Sequence, residues 1–124
     1  MDVTPIAPAG RQVIDSYQPG GFRVSGVVHD GSILVFPDHT EPWPVAAPGE
    51  VTFDALARVV AADPPIEVLL VGCGRRMAPL PASLRAALRE AGLGVDAMDT
   101  GAACRTYNVL LSEARRVAAA LIAL

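Results

Sequence analysis

The sequence predicts a mixed α/β fold, a single three-layer domain with a mixed β-sheet, and three observations carry that expectation. First, two apolar runs, Ile66 to Val71 and Val95 to Met98, flank a helical pattern over Ser83 to Ala91. That strand, helix, strand unit is long enough for a crossover connection, so its strands are expected to run parallel with a right-handed link. Second, the first third of the chain alternates apolar and polar residues and is broken by turn dipeptides, as a β-hairpin requires. Third, the C-terminal stretch from Ala102 to Ile122 has helical periodicity, predicting a long final helix.

In chain order, residues 1–10 read as a flexible lead-in and 11–124 as one domain. Arg11 to Tyr17 fits an edge strand, with Gln18-Pro-Gly-Gly21 as a turn. Phe22 to His29 and Ser32 to Phe36 are expected to pair across Asp30-Gly31, a dipeptide that supplies positive φ for a two-residue hairpin. Pro37 ends that hairpin. Glu41-Pro-Trp-Pro44 is held extended by steric restriction before each proline, and a short strand is expected near Val45. Thr52 caps a helix over Phe53 to Ala62 that buries Phe53, Leu56 and Val60 and is stopped by Asp63-Pro-Pro65. Ile66 to Val71, β-branched and nearly continuous, reads as a central strand covered on both faces. Gly72 to Arg76 and the Pro79/Pro81 segment form a loop. Leu84 and Leu88 face inward on the next helix, which Gly92 terminates. On the final helix Leu110, Ala114, Val117 and Leu121 make the buried stripe, with Glu113, Arg115 and Arg116 toward water.

Composition excludes several function classes. Net charge is −3 and the pI about 5.2, which opposes general nucleic-acid binding because no basic face is available to displace phosphate counterions. All ten basic residues are Arg, so Schiff-base chemistry and a lysine general base are absent. Hydrophobic content of 52% with mean hydropathy +0.38 comes largely from Ala, and no apolar run approaches the roughly 18 residues of a membrane span. Residues 1–10 carry neither a basic nor an apolar signal region, so a cytoplasmic location is expected, with Cys73 and Cys104 as reduced thiols. The apolar surplus suits tight helix packing or a homodimer surface.

Parallel strands end at one edge, so Gly72-Cys-Gly74 and Asp99-Thr-Gly101 are expected side by side there, where open α/β sheets bind ligands. Gly72, Cys73, Gly74, Thr100, Gly101, Cys104, Arg105 and Asn108 are the candidate ligand-binding residues. Thr100 is the expected cap of the final helix, and Arg105 and the helix N-terminus suit an anion. Cys104, in the first turn beside Arg105, is the candidate reactive thiol. Its bland alternative is a small buried apolar residue. Gly72-x-Gly74 lacks the third glycine and following helix of a dinucleotide fingerprint, so no cofactor is expected. The two cysteines with His29 and His39 lack zinc-ligand spacing, and no metal is expected. Asp96 and Asp99 point to opposite faces, leaving Asp99 as a turn or capping residue. Trp43 either marks a partner surface or covers the core.

The segment GVDAMDTGAACRTYNVLLSEARRVAAAL resembles the small-protein family that includes the mitochondrial respiratory complex I assembly factor three and the adipogenesis-associated domain protein, with many uncharacterised bacterial members. Val71-Gly-Cys-Gly74, Leu80-Pro81, Met98 to Asn108, Ile33 to Pro37 and Trp43-Pro44 carry the likeness. The family often has Thr where this sequence has Cys73. The resemblance implies a mixed sheet with helices on one side and a β-hairpin opposite, and an assembly or regulatory role in the eukaryotic members. This chain reads as a bacterial protein.

Two functions follow as expectations. One is a non-enzymatic binding or assembly module that takes a protein partner through the helix-end cleft. The alternative is a small-molecule, anion or thiol-redox site in that cleft. In a third reading the segment serves folding alone, with Tyr107 packed and Asn108 bonded to backbone.

Overall fold

The computed structural model describes residues 11–124, so the expected lead-in lies outside the described residues. Among the described residues eight strands form two sheets. β1 (Ile14–Gln18), β2 (Gly21–Val24) and β3 (Val27–Asp30) make an antiparallel three-stranded sheet in sequence order. β4 (Ile33–Val35), β5 (Thr40–Pro42), β6 (Val68–Gly72), β7 (Gly94–Met98) and β8 (Val117–Leu121) make a five-stranded mixed sheet ordered β5-β4-β8-β6-β7. The helices are α1 (Ala57–Val60), α2 (Ala82–Glu90) and α3 (Thr100–Ser112).

The mixed α/β class and the parallel β6-α2-β7 unit stand as the sequence predicts, with Leu70 opposite Asp96 in register. Gly92, at φ 91°, ends α2: its N–H and that of Leu93 donate back to Arg89 and Leu88, closing the helix C-terminus. Because β6 is interior, its residues alternate between two cores. Leu69 and Val71 pack with Leu84, Leu88, Leu56 and Val59 on one face. Leu70 packs with Tyr107, Leu111, Cys104 and the small sheet's Ile14, Phe22 and Val24 on the other. Helices therefore cover both faces, which corrects the expectation of helices on one side only. A chain that crosses from β6 to β7 and then returns past β6 to β8 has to lay its two helices on opposite faces if both links are right-handed.

The largest correction is at the C-terminus. The helix expected to reach Ile122 stops at Ser112, and Val117–Leu121 is the middle strand of the five, parallel to β6 and antiparallel to β4. The stop is a Schellman turn built on Ala114 at φ 60°, with Ala114 N–H donating to Leu111 O (3.0 Å) and Arg115 N–H to Leu110 O (3.1 Å). Alanine gives no glycine signal at that position. Val117-Ala-Ala-Ala-Leu121 is buried on every residue. Such a strand reads as a continuous apolar run, which periodicity does not separate from a buried helix.

Phe22 to His29 is not one strand. It folds on itself at Ser25-Gly26, with φ 46° and 82°, the mirror-type turn that matches strand twist. Asp15 accepts the Gly26 N–H at 2.7 Å, and Ser25 Oγ accepts that of Val13 at 3.0 Å, which fixes this turn rather than Asp30-Gly31. Gly31 instead carries the chain from the small sheet to the large one. Thr52 does cap, accepting the Ala55 N–H at 3.1 Å, but the helix is a 3-10 turn followed by the short α1. Leu56 and Val59 reach the core, whereas Phe53 is 39% exposed. No strand forms at Val45. Trp43 is buried and donates from Nε1 to Ala55 O at 2.7 Å, so it covers the core.

Candidate functional site

At the carboxyl edge of the parallel strands three chain segments meet. Cys73 N–H donates to Met98 O (2.8 Å), Thr100 N–H to Gly74 O (2.8 Å) and Ile122 N–H to Gly72 O (3.0 Å). The two expected loops are thus adjacent, with the end of β8 as an unforeseen third member.

The junction is closed by the protein's own groups. Asp99, not Thr100, is the helix cap: its carboxylate accepts the Ala102 N–H at 2.9 Å. Thr100 is fully buried. Its hydroxyl accepts the Gly74 N–H (2.9 Å) and donates to Ile122 O (2.8 Å), tying the three segments together. Gly72 lets this happen, because a Cβ there would meet Thr100 Cα and the Leu121 side chain at 3.0 Å. A Cβ on Gly101 would stand 2.5 Å from the Tyr17 hydroxyl. Gly72 and Gly101 allow close packing of α3 on the sheet and on β1.

Asn108 acts as a strand partner for β1: Nδ2 donates to Ile14 O (2.9 Å) and Oδ1 accepts the Ile14 N–H (3.1 Å). The Tyr107 hydroxyl shares its one proton between Gln12 O (2.9 Å) and Phe36 O (3.2 Å), and burial pushes its pKa up. Between them these side chains bolt the small sheet onto the large one. Arg105 is exposed and reaches the Tyr17 hydroxyl at 3.4 Å.

Cys73 and Cys104 are both buried but lie in the cores on opposite faces of the sheet, so they do not form a pair. Burial pushes the Cys104 thiol up to about 12, and the Arg105 charge only partly offsets this. Apolar burial of this kind disfavours the thiolate, the nucleophilic form of cysteine. Among the described residues no group of three or more His, Cys, Asp or Glu side chains is placed to hold a metal.

What stays open at this edge is a cleft of about 410 Å³ outside the closed junction, lined by Tyr17, Gln18, Pro19, Gly74, Arg75, Asp99 and Leu124. Of the predicted ligand-binding residues, Gly74 lines it. Arg75 was legible as part of the glycine loop. Tyr17 and Gln18 arrive from the other sheet and carried no local signal.

A Rhodobacter capsulatus protein of uncharacterised role is 42% identical over 114 residues, covering 92% of this chain and 86% of the relative. The zebrafish (Danio rerio) NADH dehydrogenase (ubiquinone) 1 alpha subcomplex assembly factor 3 is 38% identical over 110 residues, 89% of this chain and 63% of that protein. This chain therefore spans under two thirds of that assembly factor's length. Among solved structures, a Bartonella henselae protein described as an outer membrane protein superposes with TM-score 0.84 at 44% identity, covering 92% of this chain and 96% of that one. A Bordetella pertussis Mth938-like domain superposes with TM-score 0.82 at 30% identity, covering 98% and 92%. No helix among the described residues is long and apolar enough to cross a membrane. Residues 14–122 match the family model described as "Protein of unknown function (DUF498/DUF598)", and with that match and these relatives the chain belongs to that family.

Proposed function

We propose that this chain is a protein-binding module of the assembly-factor type, a single domain over residues 11–124 that acts in a bacterial cytoplasm and meets its partner at the carboxyl-edge cleft. One observation carries the reading. Asp99, Thr100, Tyr107 and Asn108 each hydrogen-bond main-chain groups of the protein itself, so the MDTGAACRTYN segment contributes shape rather than chemistry. Beside that rigid junction the cleft rim presents Arg75, Pro19 and the half-buried Gln18 and Leu124, a mixed polar and apolar surface of the kind found where proteins meet. The assembly-factor relative supports the same class. The thiol-redox alternative loses its reactive atom, because Cys104 does not line the cleft and is held protonated by burial. An anion there would lean on Arg75 but face the Asp99 carboxylate, and the Gly74 N–H already donates to Thr100.

The test is site-specific photocrosslinking in the native bacterium, with a benzophenone amino acid at Gln18 or at Arg75 and, as control, at Arg89 on the outer face of α2. A discrete adduct from the rim positions alone, lost on Arg75→Glu in the Gln18 probe, is the expected result. An adduct at twice the mass of the chain identifies a second copy as the partner. No adduct, or equal labelling from Arg89, refutes the proposal.

A further inference from the structure

A second cleft, about 560 Å³, opens at the opposite, amino edge of β6 and β8, where the β4–β5 turn, the end of α1 and the α3–β8 turn converge. Its volume is in the range of small-molecule sites, roughly 300–1,000 Å³. Its apolar wall includes Phe36 and Ile66, 3% and 6% exposed, extended by Pro37, Ala62 and Pro64.

The charged groups around it are unevenly satisfied. The Phe36 and His39 rings stack at 4.5 Å and 6°. His39 Nδ1 lies 2.8 Å from Asp38 and Nε2 3.1 Å from Glu41, whose carboxylate also takes Arg58 Nε at 2.8 Å and Nη2 at 3.2 Å. Asp38, Glu41, His39 and Arg58 are therefore committed to one another and stiffen one wall. The hydrogen bond from His39 lowers the Asp38 carboxyl below its ordinary value. At Glu41 burial opposes ionisation, but the hydrogen bonds from Arg58 and His39 outweigh it.

Two other arginines line the same cleft, Arg11 and Arg116, and neither guanidinium has a carboxylate within 4.0 Å among the described residues. Arg116 is exposed, yet its guanidinium is pinned: Nε donates to Pro65 O at 2.7 Å, while its main-chain O accepts the Glu67 N–H at 2.8 Å and its main-chain N–H donates to the Glu67 carboxylate at 3.4 Å. An exposed arginine ordinarily loses rotamer freedom when it engages a ligand. Here that ordering is already made by a carbonyl, which carries no formal charge to compete with a ligand's carboxylate.

The geometry points to this cleft as a binding site for a small monoanionic organic carboxylate, its charge held by Arg116 and Arg11 and its apolar body laid against Phe36, Pro37 and Ile66. Guanidinium groups take carboxylates in paired hydrogen bonds. A monoanion fits better than a dianion because the lining balances Arg11, Arg58 and Arg116 against Asp38, Glu41 and Asp63. The apolar wall requires more than an inorganic ion. This site is independent of the carboxyl-edge reading.

The probe is 4-phenylbutyrate, titrated into the full chain and followed by amide chemical shifts, with 4-phenylbutanol and inorganic phosphate run alongside. The acid is expected to shift Phe36, Ile66, Ala114 and Arg116 saturably, and to bind about a hundredfold more tightly than the alcohol, the effect of two charge-assisted hydrogen bonds. Arg116→Gln and, separately, Arg11→Gln each weaken the acid about tenfold and leave the alcohol unchanged. Asp63→Asn tightens it. Should Arg116→Gln perturb the fold through the Pro65 contact, Arg11→Gln carries the test alone. The inference is overturned by no saturable shift, by equal affinity for acid and alcohol, by wild-type affinity in a folded arginine variant, by phosphate competing as well as the acid, or by shifts centred on Gly74 and Asp99.

Discussion

Replacing Thr100 by Val removes one hydroxyl, keeps the side-chain shape and isolates what holds the three segments of the carboxyl edge together. The Gly74 N–H and the Ile122 C=O, both on buried residues, lose that partner at once. A buried main-chain group left unsatisfied costs about 1–3 kcal/mol, so the pair predicts a loss of about 2–6 kcal/mol. Against a total stability of roughly 5–15 kcal/mol for a domain, that is a large fraction. Thr100→Ser is the control: it keeps both hydrogen bonds and gives up one methyl, about 1 kcal/mol. Urea unfolding reports both, read by the fluorescence of Trp43, the chain's one tryptophan, whose indole is buried against Ala55. The valine variant should shift the midpoint with little change in m. If Thr100→Val is no more destabilising than Thr100→Ser, the hydroxyl does not carry the junction and the reasoning fails.

Asn108→Ala strips the buried Ile14 N–H and C=O of their side-chain partner, with an expected loss of about 2–4 kcal/mol and, in hydrogen exchange, a much faster Ile14 amide than the amides of β6. Gly101→Ala would gain about 1 kcal/mol of helix propensity on an open helix, but the 2.5 Å approach to the Tyr17 hydroxyl makes it destabilising by about 1–3 kcal/mol in thermal unfolding. Cys104, raised from 9.0 to about 12, should alkylate at neutral pH about a thousandfold more slowly than an unperturbed thiol, and a normal rate would mean that it is accessible. Because its folded pKa is raised, the stability linked to Cys104 is complete below pH 9.0 and lost as pH rises from there toward about 12, a slope that Cys104→Ala should flatten.

Local chemistry was enough wherever one residue decides its own backbone. Gly92 closes α2 and Thr52 caps the turn before α1, as their neighbours in sequence imply. The strand-helix-strand unit was legible because Ile66 to Val71 and Val95 to Met98 are bounded by Pro, Gly and turn residues at a length that only a crossover connection satisfies. The adjacency of Gly72–Gly74 to Asp99–Gly101 followed from parallel pairing alone. Local residue preference falls short where tertiary context overrides propensity. Ala118-Ala-Ala120 favours helix in isolation and is a strand because the space between the two core layers is filled there by small side chains. Ala114 ends α3 in a conformation usually left to Gly, and nothing in its residue type announces that.

By itself, then, the sequence determined the class of fold, the parallel unit, the edge at which the glycine and threonine loops meet, and the absence of lysine chemistry. Tertiary structure alone decided what those residues do. Burial turned Thr100, Asn108, Tyr107 and Cys104 into internal ties and packing. It also gathered Arg11, His39, Arg58 and Arg116 into one cleft from segments distant in sequence. The physical reason is that backbone preference acts over a few neighbouring residues, whereas desolvation, hydrogen-bond satisfaction and charge pairing depend on which surfaces the completed sheet brings within a few ångströms.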